Sequence, residues 1–115
     1  MRPKHFQAYL ERDQGCLHCG DMEAVAPHHR ANRGHGGSKK LDRPSNIIVL
    51  CSVINGLLES DARIAQLGRD FGWKISRYDE PADTPVYYPR LNQWIRLDDE
   101  YGLEVIDSPP AETAF

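Results

Sequence analysis

Apolar and polar positions along this chain alternate in short blocks, each the size of one small helix or strand. Over residues 3–12 (PKHFQAYLER), Phe6 and Leu10 recur at helical spacing with Ala8 and Tyr9 beside them. Pro3 suits a first turn, so the pattern predicts a short helix ended by Gly15. The stretch CLHCG reads as a tight knuckle in which Gly20 permits a positive φ and lets both thiols face one point. MEAVAPHH reads as extended, with Pro27 holding Ala26 out of the helical region. Residues 30–45 carry four Gly or Pro residues among polar ones and predict a long loop, a feature often functional in so small a protein. The run NIIVL, opened by Asn46, predicts a strand. Ser52 is the expected cap of a helix that buries Ile54, Leu57 and Leu58. Ser60 is the expected break and second cap, leading into DARIAQLG, with Gly68 as its stop. WKIS, PVYY, QWIRL and LEVI are four short strand candidates, DDEYG is a hairpin turn between the last two, and SPPAETAF is a frayed tail.

At 115 residues, 40% of them hydrophobic, the chain is the size of one domain, which excludes two large catalytic domains. No stretch approaches the ~18 consecutive apolar residues of a membrane span. The start, MRPKHFQAYLERDQ, has no apolar run behind its positive residues, so no secretory leader is expected. Net charge is −3, which alone argues against a nucleic-acid binder. Its distribution changes the picture: residues 1–57 hold 8 basic and 5 acidic groups, residues 58–115 hold 6 and 12. Between His28 and Arg43 five basic residues face Asp42 alone, a local field suited to phosphate, although a charge run can also be only a solvated face.

The three cysteines are odd in number and fit a reducing compartment better than a disulfide framework. Cys16-x-x-Cys19 with Cys51 reads first as metal-ligand spacing. A thiol oxidoreductase is disfavoured because the βαβ context of a redox CxxC is missing.

In chain order stand Cys16-x-x-Cys19, His28-His29 at the end of a strand, Asn46 at the start of the next, then Cys51 and Asn55. With the stretches HHRANRGHGGS, SNIIVLC and Asn55-Gly56, this order resembles the HNH endonucleases over residues 14–73. LESDA, FGW and WIRLDDEYG look like the C-terminal region of phage-encoded members. The resemblance implies an α+β chain. Residues 1–73 would form a ββα-metal, treble-clef-like core with an N-terminal helix and a zinc knuckle. A small antiparallel sheet (74–108) would pack on it, followed by a flexible tail (109–115). It also implies a metal-dependent endonuclease that hydrolyses phosphodiester bonds in DNA and leaves 5′-phosphate ends. The setting it implies is phage DNA processing or packaging in the host cytoplasm, with terminase as a candidate partner.

Adjacent strand residues point to opposite sides, so His28 and His29 need separate tasks. The family pattern gives the metal to His28 and the general-base role to His29, and an ordinary imidazole pKa near ~6.5 suits that role. Asn46 matches the family's middle Asn; its amide can bond the loop backbone and thereby orient the base. Asn55 stands where many members carry a His ligand. An amide oxygen beside one imidazole favours Mg²⁺ or Mn²⁺ over Zn²⁺, and Glu59, one turn on, could add a carboxylate. Arg30, Arg33, Lys39, Lys40 and Arg43 are the expected DNA-backbone contacts. Cys16, Cys19 and Cys51 are candidate ligands of a structural Zn²⁺. The family's second CxxC ends here on Ile54, so a tetrahedral ion lacks one ligand unless His18 or His5 supplies it; otherwise Ile54 joins the core.

The rival reading is a non-catalytic, degenerate HNH or zinc-knuckle module that binds nucleic acid or a protein. Trp73, Trp94, Tyr87 and Tyr88 read as core rather than base-stacking residues. Asp98-Asp99-Glu100 reads as a solvent-side turn.

Overall fold

Helix α1 (Phe6–Asp13) buries Phe6, Tyr9 and Leu10 along one stripe, as their spacing requires. The computed structural model describes residues 6–31 and 41–106; His5, Arg33, Lys39, Lys40 and the expected tail 109–115 lie outside them. After α1 the knuckle closes on itself: Gly20 N–H donates to the Cys16 carbonyl (2.8 Å) and Cys16 N–H to the Asp21 carbonyl (2.9 Å). Gly20 takes φ +80°, the conformation for which glycine was expected there.

Strands β1 (Val25–His29) and β2 (Ile47–Cys51) pair antiparallel, with Val25 opposite Cys51 and His29 opposite Ile47. Every residue of β2 is buried, because α1 and α2 both pack on it. Helix α2 (Ser52–Ser60) follows β2 directly. Ser52 is not its cap: Cys51 holds that position without a side-chain bond, and Ser52 N–H donates to the Ala24 carbonyl. The next break falls one residue beyond Ser60. The Asp61 carboxylate accepts from the N–H groups of Arg63 and Ile64 and so caps α3 (Ala62–Asp70); a charged acceptor suits the positive helix end. Gly68 does not stop α3. A Cβ there would lie 2.6 Å from Leu58 Cδ2, so this glycine is where α3 closes on α2, and the helix runs on to Asp70.

Strands β3 (Val86–Tyr88), β4 (Gln93–Leu97) and β5 (Leu103–Ile106) form an antiparallel meander in chain order. The DDEYG turn is held by Asp98, which accepts from the N–H groups of Glu100 and Gly102. WKIS is not a strand. Only Ile75 bridges, to Ala31, and its N–H donates to the Arg30 carbonyl (2.9 Å). Extension stops because Ser76 N–H turns onto the Asp79 carboxylate.

The fold is mixed α+β, with three α-helices and two antiparallel sheets among the described residues. One hydrophobic cluster runs from Leu10 through Ile48, Leu58 and Trp73 to Tyr88, Ile95 and Leu97, so both sheets share a core. Trp73 and Tyr88 are buried in it, as their size favours, and Trp94 is buried outside it. The fully buried Asp13, unforeseen from sequence, ties the layers together. Its carboxylate accepts from Arg12 Nε (2.7 Å), the Tyr88 hydroxyl (2.7 Å) and Val49 N–H (3.0 Å). Among the described residues no helix is long and apolar enough to cross a membrane.

Candidate active site and metal cluster

The end of β1, the outer face of α2 and the segment after α3 enclose an open hollow of about 370 Å³, lined by Pro27, His28, His29, Arg30, Glu59, Lys74 and Ile75. The Ile75–Ala31 bridge carries the Trp73–Lys74 segment alongside β1, and this sets the state of His28. His28 Nε2–H donates to the Trp73 carbonyl (2.9 Å), which leaves Nδ1 as the acceptor nitrogen. Asn55, on α2, lies near enough to the His28 ring to act on its protonation. The imidazole and the carboxamide, distant in sequence, therefore meet. Burial pushes the His28 imidazole below its ordinary value, outweighing the upward pull of the Trp73 carbonyl and Asn55; the charges of Lys74 and His29 add to the lowering. A neutral imidazole is the form a metal ion takes.

His29 is more open. Its Nε2–H donates to Asp42 Oδ1 at 2.7 Å, so Nδ1 is its proton-accepting nitrogen. Both histidines line the same hollow although they are strand neighbours. Asn46 is fully buried: its Oδ1 accepts from Ala31 N–H (2.8 Å), and its Nδ2 donates to the carbonyls of Ala31 (3.2 Å) and Leu41 (2.9 Å). It thereby pins the chain on both sides of residues 32–40 and fixes where Asp42 meets His29.

One of the expected DNA contacts, Arg30, is corrected. Arg30 is 2% exposed, and its guanidinium donates to the carbonyls of Ser45, Gly72, Pro81, Thr84 and Pro85. It is a structural cross-brace with no N–H left for a phosphate. No carboxylate accepts from it in those bonds, and burial lowers its pKa to about 10. Arg43 faces solvent but pairs with both Glu80 and Asp99, so its charge is spent within the molecule. Asp99 lies in the exposed turn expected and is also an anchor there: it accepts from Ser45 N–H (3.0 Å) and Ser45 Oγ–H (2.6 Å).

The cation that lines the hollow instead is Lys74, whose Nζ lies 3.6 Å from Glu59 Oε2. Sequence reasoning missed Lys74 and Asp42. Asp42 left a faint signal, as the lone acid in a basic stretch close to Asn46. Lys74 left none, since only the tertiary bridge at Ile75 brings it to β1.

Cys16, Cys19 and Cys51 converge, with their sulfurs within 4.8 Å of one another, close enough to hold a metal ion such as zinc. Burial raises the Cys16 thiol pKa, but the backbone N–H groups of Cys19, Cys51 and His18 outweigh it and shift it downward, toward the thiolate a metal needs. His18 does not complete the shell. It is exposed, its ring stands edge-on to Trp73 at 6.3 Å, and no fourth His, Asp or Glu joins the thiols among the described residues. Ile54 is buried in the core, as expected if it fails to serve as a ligand. Comparison of the chain with family models, curated proteins and solved structures finds no match.

Proposed function

We propose that the chain is a metal-dependent, HNH-type DNA endonuclease built on a ββα-metal core formed by β1, β2 and α2. The observation that supports this most is that His28, with Asn55 close by, lines one hollow together with His29, itself oriented by Asp42. One imidazole nitrogen and one amide oxygen suit a hard ion, Mg²⁺ or Mn²⁺, that keeps most of its positions for water and phosphate oxygens. Such an ion would act as Lewis acid toward the phosphate and the departing 3′-oxygen. His29 Nδ1 takes the proton of the attacking water. Asp42 holds the Nε2 proton in place and stabilises the resulting imidazolium. Lys74 offers its charge to a non-bridging phosphate oxygen, and water attack at phosphorus leaves a 5′-phosphate end. The three thiols hold a structural zinc beside this machinery. Phage DNA processing, alongside terminase, is the setting such an activity would serve.

A specific observation favours a second reading, a non-catalytic module: Arg30, one of the expected DNA contacts, is engaged inside the fold, and Arg43 is ion-paired at the surface. Incubating supercoiled plasmid with the purified chain and Mn²⁺ separates the two. The endonuclease converts it to relaxed circles, and His29→Ala slows this by about 10²–10⁴-fold, the usual worth of a positioned base. Asp42→Asn falls between the two. Equal nicking by the parent and His29→Ala overturns the catalytic assignment.

A further inference from the structure

A second hollow of about 290 Å³ adjoins the first, and Lys74 and Ile75 line both. The two differ in chemistry. The first is walled by imidazoles and charged groups, whereas Ile75, Pro85 and Trp94 give the second an apolar wall beside Ser76, Thr84 and the charged Arg69, Asp70 and Asp79. Asp70 and Asp79 offset the charges of Arg69 and Lys74, so the second hollow has no net charge to draw a phosphate, and an apolar wall with a few polar groups is the lining a planar, uncharged ring system takes. A nucleic-acid strand presents this alternation, with an anionic phosphate beside an uncharged base.

We propose that the second hollow is a nucleobase subsite. It receives one base, turned out of its stack, that adjoins the phosphate held in the first hollow, with the Lys74 ammonium on the shared wall between them. The identity of the first-hollow ligand rests on the endonuclease reading; the shape and lining of the second hollow do not. Taking a base out of its stack is easiest in unpaired or distorted DNA, so such substrates are preferred over regular duplex.

The test uses short single-stranded oligonucleotides whose principal cleaved bond has been mapped, each with one abasic nucleotide at a successive position. Cleavage is followed with Mn²⁺, and binding by fluorescence anisotropy with EDTA. One abasic position next to the cleaved bond is expected to lower kcat/KM by roughly 5- to 150-fold, the worth of one lost base-stacking contact. Ser76→Phe, which fills the hollow from an exposed turn, should show a similar loss on intact DNA and no further loss on the abasic strand. Circular dichroism and the thermal midpoint report whether that variant folds, and the abasic series needs no variant. A flat abasic series with cleavage retained overturns the subsite and leaves the endonuclease standing. So does a folded Ser76→Phe variant that behaves like the parent on every strand. If no strand is cleaved, the endonuclease reading falls and binding decides: one abasic-sensitive position keeps the base site, and uniform or absent binding removes it.

Discussion

The cysteine cluster and the histidine hollow draw on the same β1–β2–α2 unit and are built in opposite ways. The cluster is local. Two of its sulfurs come from a five-residue knuckle, the third from the end of β2, and nearby backbone N–H groups position Cys16. The hollow is global. His28 and His29 come from β1, Glu59 from α2 and Lys74 from beyond α3, while Asp42 reaches His29 only because Asn46 pins the chain on either side of residues 32–40. Soft thiol donors can converge through short-range turns. The mixed donors of the hollow converge only when the whole domain is packed, so its geometry depends on residues that never touch it.

Arg30 exposes that dependence most sharply. Arg30→Met leaves five buried carbonyls without their donor and should destabilise the domain by about 3–5 kcal/mol in urea unfolding, abolishing nicking with it. Under conditions where the variant stays compact, Co²⁺ should still give thiolate charge-transfer absorption. Loss of that absorption together with nicking would show that the two regions are not separable.

Removing metal from the cluster comes next. If zinc is bound at 100 to 1,000 times its dissociation constant, chelation should lower stability by about 2.7–4.1 kcal/mol. Cys19→Ser should remove most of that chelator effect. A chelator-independent midpoint in the parent would mean that the three thiols are packing residues.

The smallest effect lies at Asp99, which lines neither region. Burial would raise the Asp99 carboxyl, but Arg43 and the Ser45 hydroxyl and N–H outweigh it and hold the pKa at about 2, below the ordinary 3.8. A carboxyl depressed in the folded state stabilises above the unfolded pKa and loses that contribution as pH falls through the folded one. The loss therefore falls between about pH 4 and pH 2. This group is well exposed, so the effect should stay below about 1 kcal/mol. Urea midpoints against pH should show the decline in the parent and a shallower one in Asp99→Asn.

Local order was legible in the sequence where chemistry acts locally. The apolar, β-branched run of NIIVL, the knuckle glycine at Gly20 and the DDEYG turn each carry their own backbone requirement, and each forms as read. The misreadings share a cause, which is competition decided by tertiary contact. Ser52 and Ser60 both have capping chemistry, yet Ser52 N–H is taken by Ala24 and the stronger acceptor Asp61 sits one residue past Ser60. Gly68 reads as a stop because glycine ends helices, whereas here the side chain of Leu58 needs the space. The order of His28, Asn46 and Asn55 marked residues that do converge or frame the hollow. Charge counting could not tell that Arg30 turns inward, because an arginine satisfied by five carbonyls leaves no pattern along the chain.

The central claim is a divalent ion shared by His28 and Asn55. A crystal soaked in Mn²⁺, with anomalous data, tests it most directly. The account predicts a peak within ~2.0–2.6 Å of both His28 Nδ1 and Asn55 Oδ1, open toward His29. Manganese bound elsewhere, with His28 and Asn55 both metal-free, would contradict it.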